Sequence, residues 1–359
     1  MLKATLRAMS RGFVFCLILA AASHVTSAQS FVLDLPAPSQ PAEVSQRIGL
    51  TDITIKYHRP LVNDRKIWGA LVPYGKVWRA GANENTTITF GDPVTIEGQP
   101  LAAGTYGLHM IPNADEWTII FSKNSTSWGS FTYDQAEDAL RVNVKPQPAD
   151  MHNAVTYDFD KLQPDSAVVE LQWEKLAVPF KVSVDVHDVV LASLKKQLRN
   201  LSQYTWLSWN DAANYLLTEK IAPDQALIYA NKSIENEDRY ENERTKSRVL
   251  MALNRKDEAA VAQKKALDFA TPLQVHLYGR QLQTEKRNDE AFAIFRDNAK
   301  KHPDQWFVHT GLARVYCAEG KFDDAVAEMK LASAAAPAAQ KSYLDGLISQ
   351  LQAKQDINK

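Results

Sequence analysis

Ala167-Val168-Val169-Glu170-Leu171-Gln172-Trp173, followed by Phe180-Lys181-Val182-Ser183-Val184-Asp185-Val186, is the stretch that decides how this chain folds. Apart from Val168, apolar residues alternate with polar ones, the period of half-buried β-strands. After Val189 the pattern changes: apolar residues recur at helical spacing and continue so to the end of the sequence. A period of 2 that gives way once to a period of 3.6 predicts two modules, β over 47–188 and helical over 189–359.

Working toward the N-terminus, the same alternation returns in Ile53, Ile55 and Tyr57 and in Val155, Tyr157 and Phe159. Shorter strands are expected around Thr86–Phe90, Pro93–Glu97, Thr105–Ile111, Trp117–Ser122 and Leu140–Lys145, separated by turn residues such as Gly91-Asp92 and Glu97-Gly98. Short strands at regular spacing predict an antiparallel sandwich or open barrel. Pro36, Pro38 and Pro41 mark 29–46 as a flexible lead-in. Before it, Lys3, Arg7 and Arg11 precede an apolar run from Phe13 to Ala20, and Thr26 and Ala28 supply small residues ahead of Gln29. That is the grammar of a secretory signal over 1–28, and it predicts an exported, periplasmic or secreted protein. The run is short of the roughly 20 apolar residues a membrane-spanning helix needs, and no later stretch qualifies, so no membrane span is expected.

Toward the C-terminus the helical half aligns on itself. Leu312, Ala313, Tyr316, Gly320, Phe322, Ala325, Met329, Ala332 and Pro337 stand at the offsets of a tetratricopeptide unit, and 34 residues earlier Ala291 and Pro303 repeat Ala325 and Pro337. Weaker copies centre on Ala259 and Ala226. Small residues at these centres let paired helices approach closely, and each hairpin hides its apolar face only against the next. The expected product is an all-α tetratricopeptide-like solenoid whose last helix, from Lys341, ends in a polar tip.

The β half carries several long strings in order: Tyr57-His58-Arg59-Pro60, Lys66-Ile67-Trp68-Gly69, Leu71-Val72-Pro73-Tyr74-Gly75-Lys76-Val77-Trp78-Arg79-Ala80-Gly81-Ala82-Asn83-Glu84, Leu101-Ala102-Ala103-Gly104-Thr105-Tyr106-Gly107-Leu108 and Trp128-Gly129. Over roughly Ser45 to Val186 this resembles the bacterial family known as domain of unknown function 2911. The resemblance implies an exported β-rich domain, often followed by tetratricopeptide repeats, and brings no activity with it.

Charge and motif content narrow the functions. With 41 basic and 42 acidic residues the net charge is -1, which gives no global field for nucleic acid. Of two cysteines, Cys16 lies in the signal, so Cys317 has no partner for an internal disulfide and reads as a buried, inert thiol. No paired-histidine metal motif, phosphate loop or Gly-x-Ser-x-Gly elbow is present, and neither cofactor nor metal is expected. The densest polar cluster spans two loops. Arg59, Asp64, Trp68, Trp78, Arg79, Asn83 and Glu84 are the candidate ligand-binding residues, an arginine offering planar donors to a small anion or sugar beside a tryptophan face. The alternative for the same loops is structural, with Arg79 and Glu84 tying down a long connection while Trp68 and Trp78 plug the end of the sandwich. In the helical half, Trp206, Trp209, Tyr215, Tyr229, Tyr278, Trp306 and Tyr316 read chiefly as core, and Asn210, Asn214 and Arg280 are candidates for a groove that takes a protein or peptide partner. Two functions follow: a non-enzymatic binding or scaffold protein with the β module as second recognition unit, or a hydrolase acting on envelope or imported polymers through His58, Asp64 and Glu84.

Overall fold

The computed structural model describes residues 35–358. The expected signal over 1–28 lies outside the described residues. The β module contains β1 (Gln40–Ile48), β2 (Thr51–Arg59), β3 (Thr87–Phe90), β4 (Val94–Ile96) and β5 (Gln99–Leu101), then β6 (Gly104–Ile111), β7 (Trp117–Ser122), β8 (Asp138–Val144), β9 (Gln147–Gln163) and β10 (Ser166–Ser183). They form two antiparallel sheets, β1-β2-β3-β6-β7-β8 and β5-β4-β10-β9. Ile53, Ile55, Phe90, Leu108 and Phe121 of the first sheet share one core with Val169, Leu171, Phe180 and Val182 of the second. This is the sandwich that alternation along each strand requires.

Two details differ from the sequence reading. Residues 40–46, expected within the flexible lead-in, belong to β1, which pairs with β2 from Gln40↔Arg59 to Ile48↔Thr51. Pro41 is accommodated because β1 is an edge strand, where one side of the backbone needs no partner. The two stretches at 167–173 and 180–186 are not separate strands but parts of β10. The inward set changes from Ala167, Val169, Leu171 and Trp173 to Val178, Phe180 and Val182, across Glu174 at φ 56 and two register shifts against β9. A bulge of this kind exchanges the faces without breaking the ladder.

β10 ends at Ser183 rather than Val186. Asp185 accepts a hydrogen bond from the Asp188 N–H (3.0 Å) and so caps α1 (Val186–Gln197). Val186 and Val189 of α1 pack on the β core, whereas Leu191 and Leu194 join the first helical cluster. The helix is shared by both cores.

Four helical hairpins follow: α2 (Trp206–Thr218) with α3 (Pro223–Asn236), α4 (Tyr240–Ala252) with α5 (Lys256–Phe269), α6 (Pro272–Thr284) with α7 (Asn288–Lys301), and α8 (Trp306–Ala318) with α9 (Phe322–Ala335). Ala226, Ala259, Ala291 and Ala325 each occupy the fourth position of a second helix and are buried. Phe295 of α7 fills the space between Gly279 of α6, where any Cβ would strike its ring, and Gly311 of α8, where a Cβ would meet it in tight contact. The last helix, α10 (Ala338–Gln352), buries Leu344, Leu347 and Leu351. The segment after it is no free polar tip: it turns back and buries Ile357 in the last hydrophobic cluster. Among the described residues no helix is long and apolar enough to cross a membrane.

Candidate functional site

The loop that carries Arg79 is held by its backbone. Trp78 exchanges two 2.8 Å hydrogen bonds with Met110 of β6, and its indole N–H donates to the Gly81 carbonyl at 3.2 Å. Ala80 is fully buried at φ 52, a left-handed conformation that costs an L-residue roughly 1–2 kcal/mol. It persists because its carbonyl accepts from Tyr157 Oη (2.9 Å) and Thr86 Oγ1 (3.3 Å). Asn83 donates to the Ser39 carbonyl and Asn85 to that of Asn124. Such an over-determined loop fixes where its side chains point.

Arg79 points at two aromatic rings. Its Cζ lies 5.5 Å from the centroid of Trp128 and 5.9 Å from that of Phe131, and these rings stack on each other at 6.0 Å and 9°. Gly129 (φ 74) stands where any Cβ would strike Arg79 Nη1. Arg79 Nε is buried and has no hydrogen-bond partner among the described residues. Burial pulls the guanidinium below its ordinary pKa, against the opposing charge of Glu84. Trp128 and Phe131 are 59% and 79% exposed, so the group combines unpaired planar donors with open apolar faces.

The aromatic loop is anchored from beneath. Ser130 Oγ lies 2.8 Å from Nδ1 of the buried His109, whose pKa burial holds down at about 4 despite the nearby charge of Asp138. Tyr133 Oη donates to Asp138 (2.7 Å) and accepts from Arg141, which also donates to Asp138 at 2.5 Å.

The other candidate residues are dispersed. Arg59 donates to the Val155 carbonyl (2.9 Å) and Thr156 Oγ1 (2.8 Å), joining β2 to β9. Trp68 and Trp78 pack with Trp117 and Trp173 in the core, Trp78 stacking on Trp173 at 5.8 Å. Asp64 lies exposed in a turn at φ 53 and makes no hydrogen bond or ion pair among the described residues. Glu84 meets His58 Nε2 at 3.3 Å on the wall of a cleft of about 510 Å³ lined also by Pro41, Lys56 and Thr87. Of the three residues behind the hydrolase alternative, geometry thus pairs two and leaves Asp64 outside. Among the described residues no group of three or more His, Cys, Asp or Glu side chains could hold a metal ion.

The array builds a second candidate surface. Asn214, Arg248, Arg280 and Arg314 each stand eight residues after the first residue of α2, α4, α6 and α8. Equivalent positions on successive first helices fall in one row. Contacts between those helices confirm it: Arg248 Nη1 donates to Asn214 Oδ1 at 3.3 Å, Arg244 to Gln281, and Gln274 to Glu241 at 2.9 Å. Arg244, Arg248, Arg280 and Arg314 form no ion pair among the described residues. Elsewhere in the array Arg239, Arg255, Arg287 and Arg296 are all paired with glutamates. Burial, and next the charge of Arg280, push Arg314 down to about 10; burial and then Arg314 and Arg280 push His276 down to about 4. The exposed Leu273 and Leu277 share the Arg280 side of α6 at i, i+4 and i+7.

Asn214 and Arg280 were legible as groove candidates. Arg248 and Arg314 were not, although they recur 34, 32 and 34 residues apart from Asn214 onward, nearly the spacing of the buried alanines. Asn210, the third groove candidate, is buried, with its Oδ1 unpartnered among the described residues. Trp128 and Phe131 carried no periodic signal.

Residues 39–182 match the model of the family described as "Protein of unknown function (DUF2911)", and residues 282–351 match a tetratricopeptide repeat model. The β module is therefore a domain of that family and the helical module carries tetratricopeptide repeats, which support a role in protein interaction. No curated protein matches the chain. A solved structure described as "Crystal structure of YrrB: a TPR protein with an unusual peptide-binding site" is 15% identical with a TM-score of 0.29, covering 46% of this chain and 86% of that one.

Proposed function

We propose that this chain, a DUF2911 domain joined to tetratricopeptide repeats, is an exported binding protein that holds an acidic segment of a partner protein on the face made by α2, α4, α6 and α8. The observation that carries this reading is the row Arg248, Arg280 and Arg314, aligned on successive helices and without the carboxylates that neutralise arginines elsewhere in the array. Like charges held together and partly desolvated are stabilised by an incoming anion, and Leu273 and Leu277 beside them add apolar contact. Export is supported by the basic, then apolar, then small-residue order of 1–28. The β module acts as a second recognition unit, in which Arg79 binds an anionic or hydroxyl-rich group while Trp128 and Phe131 cover it.

Site-directed photo-crosslinking in the producing cells tests the partner site. A photoreactive residue at Leu277 should give a discrete protein adduct that disappears in Arg248→Gln/Arg280→Gln, and one at Ile228 of α3 should not. Equal labelling from both positions, or labelling that survives the arginine substitutions, would overturn the assignment.

A further inference from the structure

The segment that follows α10 already occupies one end of the arginine row. Arg314 donates to the Ile357 carbonyl, and Asn358 Nδ2 donates to the Arg314 carbonyl at 3.0 Å. Gln283 Nε2 donates to Asn358 Oδ1 at 2.7 Å, and Gln283 Oε1 accepts from Arg280 Nη1 at 2.6 Å. Asn358 therefore joins α6 to α8 through a continuous chain of polar contacts. Ile357 is 5% exposed, and Cys317 Sγ lies 3.8 Å from the Gln355 carbonyl and 3.6 Å from Asp356 Oδ1. Arg314 itself is 4% exposed and finds acceptors only in the Ile357 carbonyl and, at 3.5 Å, Tyr343 Oη among the described residues.

These contacts have the form of peptide recognition. A buried guanidinium takes a backbone carbonyl, an apolar slot takes one aliphatic side chain, and a glutamine fixes the amide that follows. Residues 355–358 supply all three, from the same chain and next to the rungs assigned above to a partner.

We infer that 355–358 is a built-in occupant of this groove, and that the partner is an extended peptide of the same chemistry that displaces it: an aliphatic residue for the Ile357 slot, then an amide for Gln283, with acidic residues running on toward Arg280 and Arg248. The inference rests on the partner-binding reading of the α2-α4-α6-α8 face and deepens it. A site that is closed about nine-tenths of the time loses about tenfold in apparent affinity, which opening restores.

The test uses a fluorophore-labelled peptide with the sequence of residues 353–358, Ala-Lys-Gln-Asp-Ile-Asn, and the full chain. Fluorescence polarisation should show binding about tenfold tighter to Ile357→Ser/Asn358→Ala than to the unaltered chain, reversed when Gln283→Ala is added. If Ile357→Ser disturbs α10 in thermal melts, Asn358→Ala alone should still tighten binding. Equal affinity for altered and unaltered chains, or binding to neither, would overturn the inference. A second labelled peptide of alternating Glu and Leu separates the two levels. Were it to bind the unaltered chain and fail with Arg248→Gln/Arg280→Gln, the groove would stand without its built-in occupant. Were neither peptide to bind any chain, the groove reading would fall as well.

Discussion

Arg79 and Arg59 are neighbours in the candidate cluster with opposite expected behaviour on truncation. Arg59→Ala removes the donor that satisfies the Val155 carbonyl and Thr156 Oγ1 between β2 and β9. Leaving such groups unpaired costs about 1–3 kcal/mol each where they are buried. Arg79→Ala strands no hydrogen-bond acceptor among the described residues, because its Nε has none. It forfeits two ring contacts of about 0.5–1 kcal/mol each at exposed rings, and it also removes the cost of holding a partly desolvated cation. The net cost should be about 1 kcal/mol or less. For a domain of this size 1 kcal/mol moves the melting temperature by about 2–4 °C, so Arg59→Ala should melt clearly below Arg79→Ala. Near-ultraviolet circular dichroism is the assay, since Trp68, Trp78, Trp117 and Trp173 form a coupled ring cluster in the β core. A stability loss for Arg79→Ala that equals or exceeds that of Arg59→Ala would show that Arg79 is a structural clasp, and the β-module site would fall with it.

Three further outcomes are expected. His109 and His276 are held down at about 4 in the folded chain against an ordinary 6.5, so the unfolded chain takes up protons that the folded chain refuses as pH falls through that interval. Stability is complete above about pH 6.5 and declines toward pH 4 by up to about 3 kcal/mol per imidazole; pH-resolved melts of His109→Gln should show a flatter acid limb. Gly279→Ala drives a methyl into the buried Phe295 ring and should destabilise the array by roughly 1–3 kcal/mol, read by urea titration of helical dichroism, with no change in the β signal. A fragment spanning 35–198 should melt above one spanning 35–188, because the shorter chain ends inside α1 and loses Val189 from the β core; identical melts would return the boundary to 188.

The fold was legible wherever one physical pattern governed many residues. Alternation located most strands because each has one buried and one wet face, and the return of alanine at 226, 259, 291 and 325 located the hairpins because helix approach tolerates little else there. What stayed hidden was decided by long-range geometry. β1 was obscured by Pro41, which an edge accepts, and β10 looked like two strands because the bulge at Glu174 inverts its faces. In the candidate site the residue types were readable and their partners were not. Trp68 and Trp128 are both tryptophans beside glycines, yet one packs, partly buried, against three other indoles and the other stands open over Arg79. The arginine row was present in the sequence as a spacing, but its meaning depends on the carboxylates that do not reach it, which only the packed array reveals.

On the function proposed here, the face made by α2, α4, α6 and α8 selects acidic segments of other proteins. The most direct measurement is selection of a random peptide display library on the purified chain, with Arg248→Gln/Arg280→Gln as the counter-target. The recovered sequences should be rich in Asp and Glu interspersed with aliphatic residues, and they should bind the unaltered chain with an affinity that falls with salt and is lost on the counter-target. Recovery of neutral or basic peptides, or of acidic peptides that bind both chains equally, would contradict it.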